Sequence, residues 1–393
     1  MSQIYLFTAC YPYEQTECFL EDEISILSQE FDKITIIPLY GNKVTRMTPY
    51  NCSVVDPIEH KGIKRYLSLL RYNRATYPFL KDFFKNRVYL SLARFKSWII
   101  AYNQVCCLLQ SDRIQAIFRY ISPSDICYFY WGKGSISLIP FFSGKAKFVA
   151  RFHGEWDLWE ESSGNYAPFR QEIVNGLDLA FFISKKGEVY FRNKYAIKAT
   201  KVSPLGSYDN GVCSRSEDGV LRVVSCSSVY PLKRVFLILD SLLLLDIKIE
   251  WTHIGGGPMF QKLAEQVGLL TKENLKIQLL GHVNHREVVT FYQTHKVDLF
   301  INLSENEGVP VSIMEAISFD IPVLATDVGA TSEIVIEKTG VLIDANPSAE
   351  EVSTAIKDIK GRLNSIHPRG FWECHYNAEN NYREFAKTLK DIK

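Results

Sequence analysis

Residues 299–335 carry the side chains and turns best suited to chemistry. A strand-like apolar run ends at Ser304, a polar loop containing Glu307 follows, and Pro310 stands where the next helix is predicted to begin. Proline suits the first helical position because its fixed φ fits a helix and no amide donor is wasted there. The amides of residues 311–313 would then be unpaired donors at a helix N-terminus. Such a terminus is a ready site for an anion such as a diphosphate.

Two carboxylates accompany this predicted anion site. Glu307 precedes the helix and Glu315 lies on it, with seven residues between them. Glu307 could lie beside the anion, while Glu315 could accept hydrogen bonds from a pair of ribose hydroxyls. Taken alone, the pair would favour a plainer interpretation, in which Glu307 complements the helix dipole and Glu315 is a surface acid. Their place between an apolar strand and a second strand–glycine turn at Asp327–Gly329 favours the ligand role.

From Ser304 to Gly329 the chain resembles the signature of retaining glycosyltransferase family 4, which reads S-x-x-E-G-x-P-x-x-x-x-E-A and then P-V-I-A-T-D-x-G-G. The resemblance implies an α/β chain with the GT-B fold, in which two Rossmann-like doubly wound domains face each other across a cleft. It implies that Glu307 is catalytic, near the donor sugar, and that Glu315 binds the ribose. The chain departs at Ala330, where the family usually has a second glycine. The resemblance further implies that the donor phosphates are lined by Gly308, Val309, Pro310 and Val311.

Two further segments of the C-terminal half extend the resemblance. VSCSSVYPLKRVFLILDSL (224–242) places Lys233 on the family's phosphate-binding lysine, and Ser228 replaces the usual arginine. Arg234 is a candidate for the missing cation. LLGHVNHREVVTFY (279–292) resembles the loop whose backbone, here at His282 and Val283, holds the nucleotide base. A zinc site at the histidines is disfavoured because no acid or thiol stands at ligand spacing.

Two segments of the N-terminal half also resemble the family. KFVARFHGEWDLWEE (147–161) places His153 directly after a strand, in an Arg-x-His-Gly context. The resemblance implies that His153 is catalytic, touching the donor sugar and stabilising charge. TACYPYEQTECFLEDEISIL (8–27) resembles the first loop of a branch that builds exopolysaccharide, capsule or lipopolysaccharide. In that branch the loop lies on the acceptor side of the cleft. The resemblance therefore assigns Tyr11, Pro12 and Thr16 to the acceptor-side loop.

Alternating strands and helices predict parallel sheets covered by helices on both faces. Turn formers at 203–211 are followed by a restart of the pattern, so we expect an acceptor-side domain at 1–204 and a nucleotide-sugar domain at 205–375. A C-terminal helix at about 376–393 is expected to pack back onto the first domain. The predicted strands are 3–9, 33–40, 116–119, 126–130, 147–152, 179–183, 221–227, 247–255, 275–281, 297–303, 322–327 and 339–344.

The composition is that of a globular chain in a reducing compartment. Of 393 residues, 47% are apolar and 23% are charged, and the nine cysteines form no CxxC pair. The N-terminus lacks a basic region, so a signal peptide is not expected. The longest apolar run, 235–249, is interrupted by Asp240 and Asp246 and is shorter than the roughly 20 residues of a membrane span. We therefore expect a cytoplasmic protein, with peripheral contact to the inner face of the membrane as a further hypothesis.

Charge is distributed unevenly along the chain. Residues 1–205 contain 26 Lys and Arg against 19 Asp and Glu, whereas residues 206–393 contain 19 against 25. Between Lys61 and Lys96 there are ten basic residues and one acid, Asp82, interleaved with aromatic side chains. This 61–96 segment suits either an anionic membrane or a solvated helix face over core aromatics. The acidic C-terminal half argues against a nucleic-acid partner.

The reaction implied by the resemblance is transfer of a hexosyl group from a nucleotide diphosphate sugar to a hydroxyl of a glycan or lipid-linked saccharide, with retention at the anomeric carbon. No cofactor is expected. No D-x-D triplet occurs, so no metal site is predicted. Two alternatives remain open: a nucleotide-sugar 2-epimerase of the same fold and a non-catalytic, two-lobed sugar-binding protein.

Overall fold

A computed structural model of the chain describes residues 3–13, 17, 19–41, 46–58, 74–154 and 157–392. They form two compact units: Met1–Ser203 with Tyr382–Lys393, and Pro204–Asn381. We refer to them as the N-terminal unit and the C-terminal unit. Each is a parallel β-sheet flanked by helices, as the alternating pattern predicts.

The described part of the N-terminal unit contains a seven-stranded sheet in the order β3-β2-β1-β4-β5-β6-β7, with every pair parallel. Its strands are β1 (Gln3–Thr8), β2 (Lys33–Pro38), β3 (Cys52–Val54), β4 (Ile126–Phe129), β5 (Lys147–Phe152), β6 (Leu179–Phe182) and β7 (Thr200–Val202). Its helices are α1 (Phe19–Glu30), α2 (Thr76–Lys85), α3 (Leu92–Gln110), α4 (Asp112–Tyr120), α5 (Arg170–Gly176) and α6 (Lys185–Lys194). Short 3₁₀ helices lie at Val88–Leu90, Gly134–Phe141 and Glu161–Ser163.

Hydrophobic clusters cover both faces of this sheet. Ile4 and Tyr128 pack with α1 on one face, whereas Phe7 and Phe129 pack with α3 on the other. Alternate residues of a strand point to opposite faces, so central strands covered on both sides are apolar throughout. This explains why the runs at β1, β4 and β5 were recognisable in the sequence.

The last helix of the chain, α13 (Ala378–Lys390), completes one of these clusters. Phe385 packs in the cluster of Ile4 and Tyr128, and its ring lies 4.0 Å from the Arg151 guanidinium. Arg151 is fully buried and pairs with the equally buried Glu23 at 2.5 Å. The negative charge of Glu23 outweighs the effect of burial and raises the pKa of Arg151. The arginine of the Arg-x-His-Gly motif therefore has a structural contact beneath the C-terminal helix.

The C-terminal unit contains, in the described residues, a six-stranded parallel sheet in the order β10-β9-β8-β11-β12-β13. Its strands are β8 (Leu221–Cys226), β9 (Ile249–Ile254), β10 (Leu275–Gly281), β11 (Leu299–Asn302), β12 (Val323–Thr326) and β13 (Gly340–Ile343). Its helices are α7 (Val235–Leu243), α8 (Phe260–Gly268), α9 (His285–Thr294), α10 (Val311–Ser318), α11 (Ala349–Lys360) and α12 (Arg369–His375). Short 3₁₀ helices lie at Pro231–Lys233, Thr331–Glu333 and Leu363–Ser365.

One predicted strand is wrong. Residues 116–119 belong to α4, which begins after Ser111, whose hydroxyl accepts from the Ile114 amide. Ile114 and Phe118, four residues apart, are buried, while the three residues between them are partly or fully exposed. A short apolar run fits both the alternation of a strand and the period of a helix. Here the serine cap and the four-residue spacing of the buried side chains favour the helix. The short edge strands β3 and β7 were not predicted.

Across the described residues, none of the helices combines the length and the apolar character needed to cross a membrane. Residues 61–73, which form the first part of the predicted 61–96 segment, lie outside the described residues.

Candidate functional site

The predicted anion site lies at the start of α10, where β11 delivers the chain through the loop at 303–310. Pro310 is the N-cap of the helix rather than its first helical residue. The amide of Ile313 donates to the Pro310 carbonyl at 3.1 Å. The prediction that this amide is a free donor is therefore wrong. The amides of Val311 and Ser312 find no acceptor among the described residues. Two donors therefore remain at the positive end of this helix dipole.

Lys233 and Glu307 are brought together although 74 residues separate them. The Lys233 Nζ atom lies 2.5 Å from Glu307 Oε1, and both side chains are partly exposed. Lys233 ends the 3₁₀ helix at Pro231–Lys233, which follows β8, and Glu307 follows β11. Because β8 and β11 are neighbours in a parallel sheet, their carboxyl ends meet at one edge. A cation, a carboxylate and two free amides thus share this edge.

The backbone of the Glu307 loop is fixed by the turn after β12. Gly329 has φ +53°, and a Cβ at this position would lie 1.8 Å from the Glu307 carbonyl oxygen. Only glycine permits that approach. The next residue, Ala330, is buried with a negative φ, and its amide donates to the Gly308 carbonyl at 3.1 Å. The family's second glycine is therefore not needed here, because Gly329 alone makes the close approach.

Glu315 lies on α10 about one turn beyond the free amides. Its Oε1 atom is 2.7 Å from Nε2 of His285, which is the first residue of α9. Glu315 is largely covered, whereas His285 is exposed. A carboxylate held in this way can still accept hydrogen bonds through its second oxygen. The sequence disfavours His285 as a zinc ligand. In the structure this histidine contacts Glu315, the residue predicted to bind the ribose.

The remaining predicted donor residues lie at neighbouring strand ends. Ser228 follows β8 and is exposed. His282 and Val283 follow β10, with His282 exposed and Val283 partly covered. Gly255, at the end of β9, has φ +142°, and a Cβ there would lie 1.9 Å from the Ser227 carbonyl oxygen. Three consecutive strand ends thus place backbone groups beside one another.

Arg234 does not supply the cation that Ser228 lacks. Its guanidinium pairs with Glu305 at 3.1 Å and donates to the Ala345 carbonyl at 2.6 Å and to the Asn346 side chain. These contacts hold the side chain toward the loop after β13. Within the described residues of this edge, Lys233 is the basic side chain that meets Glu307.

A second cluster of predicted site residues lies in the N-terminal unit, at the end of β5. His153 Nδ1 is 3.5 Å from Asp157 Oδ2, and the centroid of the His153 ring lies 4.6 Å from that of Tyr130 and 4.5 Å from that of Trp131, with the rings tilted against each other. Its Nε2 atom has no hydrogen-bond partner among the described residues. A histidine with one nitrogen held by a carboxylate has a fixed ring orientation.

Asp157 is the anchor of this cluster. It is fully buried and accepts from the amides of Gly132 at 2.8 Å, His153 at 2.9 Å and Gly154 at 3.0 Å. Burial acts to raise its pKa, but the hydrogen bonds from His153 and from the backbone amides outweigh it, so the pKa of Asp157 lies below its usual value. Sequence reasoning missed Asp157, although its position four residues after His153 was visible.

Glu17 is the corresponding anchor of the first loop, since its carboxylate accepts hydrogen bonds from backbone amides there. Its carboxylate accepts from the amides of Ala9 at 3.1 Å, Cys10 at 2.6 Å and Tyr11 at 2.6 Å. It also accepts from the Trp131 indole nitrogen at 2.5 Å. Because the Trp131 ring packs against that of His153, Glu17 links the first loop to the histidine cluster. Glu17 was present in the loop pattern but was not singled out.

Of the predicted acceptor-side residues, Tyr11 is almost completely buried in the core. Burial, with the charge of Glu21 added, raises the pKa of Tyr11 to about 12, so its phenol stays neutral. Pro12 follows in the same turn, and Thr16 lies outside the described residues.

The C-terminal unit contains the part of the chain that matches a known protein family. Residues 214–361 match the family model of glycosyl transferases group 1. This region contains Lys233, Glu307 and Glu315 together with the free amides of α10. The group 1 match therefore covers all of the predicted donor residues.

Several curated relatives contain a similar stretch. The O-antigen biosynthesis glycosyltransferase WbnH of Escherichia coli is 38% identical over 91 residues, which cover 23% of this chain and 24% of that protein. The lipopolysaccharide core biosynthesis mannosyltransferase LpsB of Rhizobium meliloti is 29% identical over 164 residues, covering 39% of this chain and 46% of that protein. The matched part of the chain thus spans a quarter to about half of these relatives.

Solved structures match the chain over its whole length. HepE of Anabaena, in complex with UDP and glucose, covers 100% of both chains with a TM-score of 0.69 at 15% identity. Sucrose-phosphate synthase of Thermosynechococcus elongatus covers 100% of this chain and 99% of that chain, with a TM-score of 0.69 at 13% identity. At such identities the likeness shows the fold, which is that of the GT-B glycosyltransferases. The predicted fold class is therefore confirmed.

Proposed function

We propose that the protein is a retaining glycosyltransferase that moves a hexosyl group from a nucleotide diphosphate sugar to a hydroxyl acceptor. The observation that carries the proposal is the meeting of Lys233, Glu307 and the free Val311 and Ser312 amides at one sheet edge. The group 1 match over 214–361 supports it, as does the presence of UDP in the HepE structure. The 2-epimerase and the sugar-binding protein find no support in these comparisons.

In this proposal the donor diphosphate takes the place of Glu307 as the partner of Lys233. The amides of Val311 and Ser312 and the Lys233 ammonium stabilise the charge that grows on the leaving phosphate as the glycosidic bond breaks. Glu315 accepts from the ribose hydroxyls. Glu307, released from Lys233, remains beside the sugar, whose anomeric carbon becomes cationic in the transition state.

We propose that the acceptor oxygen attacks from the face that the phosphate leaves. The acceptor proton passes to a departing phosphate oxygen, so the products are the glycoside and the nucleoside diphosphate, and the anomeric configuration is retained. This route uses no metal in its bond-making steps. His153 is the proposed group that stabilises charge on the sugar, with Asp157 holding its ring.

The biological setting we propose is synthesis of a bacterial surface polysaccharide. The similarity to WbnH, named for O-antigen biosynthesis, and to LpsB, named for the lipopolysaccharide core, supports this setting. The acceptor is then a glycan or a lipid-linked saccharide, and we place the reaction at the cytoplasmic side of the membrane.

A surface of the N-terminal unit supports peripheral contact with that membrane. Residues 76–100, which form α2, the Val88–Leu90 turn and the first half of α3, define what we term the aromatic surface. Of the fifteen large hydrophobic side chains exposed in the described residues, eight belong to it: Tyr77, Leu80, Phe84, Tyr89, Leu90, Leu92, Phe95 and Ile100. Scattered apolar residues are ordinary on a protein surface, but such a concentration marks an interaction site.

The charges on the aromatic surface are of one sign. Lys81, Lys85, Arg87 and Lys96 are exposed, whereas the only acid in the range, Asp82, is buried. The Asp82 carboxylate is occupied by Tyr166 and Asn86. Apolar side chains beside cations are the combination that binds anionic lipid headgroups.

The proposed activity is tested by incubating the protein with UDP-, GDP- and TDP-linked hexoses and lipid-linked acceptor extracts. We expect release of one nucleoside diphosphate, with slow hydrolysis when no acceptor is present, and an anomeric proton coupling in the product that matches the donor. Epimer formation without acceptor would indicate the epimerase. Inversion at the anomeric carbon would contradict the retaining mechanism.

A further inference from the structure

The N-terminal unit contains a cavity of about 300 Å³ at the carboxyl ends of β1, β2 and β4. Its walls come from these strand ends, from α3, from the 3₁₀ helix Gly134–Phe141 and from the start of α5. The carboxyl edge of a parallel sheet is where α/β domains bind small molecules. The volume lies at the lower end of the range for ligand pockets.

Most of the cavity wall is apolar. Phe7, Leu39, Phe129, Ile136 and Ile173 line it, and all are buried core residues. A wall of this kind favours an apolar group over water.

The cavity also contains a cation without a partner. Lys133 lines it, is largely covered, and has no carboxylate within ion-pairing distance among the described residues. Arg170, on another wall, differs because its guanidinium donates to the carbonyls of Gly132 and Asp157. Burial lowers the pKa of Lys133, and the charge of Arg170 lowers it further, against the opposing effect of Asp157 and Glu160. An unpaired, half-buried ammonium is stabilised by an incoming anion.

Two hydroxyl groups accompany the cation. Ser135 and Ser137 line the cavity, are each 6% exposed, and have no hydrogen-bond partner among the described residues. Both lie in the first turns of the 3₁₀ helix, for which Lys133 is the N-cap. Both hydroxyls and the Lys133 ammonium line the same cavity, so all three can donate hydrogen bonds to a polar ligand there.

We propose that this cavity binds an anionic amphiphile: a phosphate ester of an apolar chain, with the phosphate at Lys133, Ser135 and Ser137 and the chain against the apolar wall. Within the proposed function the amphiphile anchors the acceptor, and only that assignment rests on the proposed function. Binding itself depends on the cavity alone.

The position of the cavity fits such a ligand. Helix α3 contributes Ser97, Ile100 and Ala101 to its wall. Ile100 is also 56% exposed and belongs to the aromatic surface. The same helix therefore borders both the apolar cavity and the surface that we propose to contact lipid.

The test is calorimetric titration of the full-length protein with geranyl phosphate, geraniol, glucose 1-phosphate and inorganic phosphate. We expect geranyl phosphate to bind more tightly than the other three, because it alone combines a phosphate for the polar groups of the cavity with a chain for its apolar wall. Lys133→Met should weaken geranyl phosphate binding about tenfold and leave geraniol binding unchanged, because it removes a charged hydrogen-bond donor but keeps the chain length. Ser135→Ala should weaken geranyl phosphate binding by a smaller factor.

Lys145→Met is the matched control, since Lys145 is an exposed lysine of the same unit that does not line the cavity. It should bind geranyl phosphate as the wild type does. Equal affinity of the wild type and Lys133→Met, in protein whose melting temperature is unchanged, would overturn the proposal. So would glucose 1-phosphate binding as tightly as geranyl phosphate. Titration with UDP tests the proposed function separately, because its predicted site lies in the C-terminal unit.

Discussion

At the scale of single residues, the contact between Lys233 and Glu307 is the feature on which the proposed chemistry depends. The pair is partly exposed, so its own contribution to stability is small. In the proposed mechanism, the lysine and the glutamate exchange partners when the donor phosphate binds. Neither residue could be paired from the sequence, because 74 residues separate them and only the sheet order brings their strands together.

Glu307→Gln should reduce turnover by about a hundredfold or more, since the amide keeps the shape of the side chain but removes the negative charge beside the cationic sugar. Steady-state kinetics measures this effect, and the melting temperature should change little. The control is Glu350→Gln, at an exposed acid of α11. Turnover of Glu307→Gln equal to that of the control would remove Glu307 from the active site.

Asp157 carries a prediction about pH. Its pKa is lower in the folded chain than in the unfolded chain, so its ionised form stabilises the fold above the unfolded value of about 4. That stability is lost as the pH falls through the folded pKa. Asp157→Asn should therefore cost about 1–3 kcal/mol at pH 7, because three amides lose a charged acceptor, and the difference from wild type should shrink below pH 4.

Chemical denaturation of both proteins between pH 3 and pH 8 measures this difference. His153→Ala should reduce this difference, because it removes the imidazole that lowers the pKa of Asp157, but part of it should remain because the three amides still donate to the carboxylate. A difference that is constant across the whole pH range would show that ionisation of Asp157 does not stabilise the fold.

At the scale of elements, the sequence indicated most of the strands because they are buried on both faces and read as continuous apolar runs. It failed at α4, where the short run at 116–119 fitted both the strand and the helix period and the serine cap of the nine-residue helix was overlooked. It placed the start of α10 correctly within one residue but overcounted the free amides, because the Ile313 amide bonds to Pro310. Side-chain partners such as Asp157 and Glu17 depend on loop geometry, which a linear pattern does not contain.

The turn at Gly329 holds the element that carries Glu307. Gly329→Ala should destabilise the fold and weaken nucleoside diphosphate binding, because the Cβ would meet the Glu307 carbonyl at 1.8 Å and the backbone has a positive φ. Gly268→Ala, at the end of α8, is the matched control because a Cβ there meets nothing within 4 Å. It should be neutral or stabilise the helix by up to about 1 kcal/mol.

Thermal melting and UDP titration of the two glycine variants separate these effects. If Gly329→Ala melts and binds as Gly268→Ala does, the loop is not held by this close approach.

At the scale of the whole molecule, the two halves of the chain differ in charge and in what their surfaces offer. The basic excess of residues 1–205 is concentrated in the 61–96 segment, which overlaps the aromatic surface, whereas the C-terminal half is acidic. This asymmetry suits a protein that meets an anionic lipid surface with one unit and a soluble donor with the other. The sequence predicted the basic segment, but the exposure of its aromatic side chains required the structure.

The membrane contact is tested by sedimentation with phosphatidylcholine vesicles with and without phosphatidylserine. We expect binding that requires phosphatidylserine and weakens as salt is raised. The double substitution Phe84→Ser and Leu92→Ser should reduce binding at least about tenfold, since it removes two exposed apolar side chains of the aromatic surface. Leu269→Ser, at an exposed leucine of the C-terminal unit, should bind as the wild type does. Equal binding of the double variant and this control would contradict the assignment of the surface.

The proposed function depends on binding of a nucleotide-sugar diphosphate at the carboxyl edge of the C-terminal sheet, by Lys233 and the N-terminus of α10 beside Glu307. Calorimetric titration of the full chain with UDP, GDP and TDP measures it most directly, with Lys233→Met as the variant and Lys248→Met, at an exposed lysine of the same unit, as the control. We predict that at least one nucleoside diphosphate binds the wild type and Lys248→Met equally, and binds Lys233→Met about tenfold or more weakly. Failure of all three to bind the wild type, or equal binding to Lys233→Met, would contradict the account.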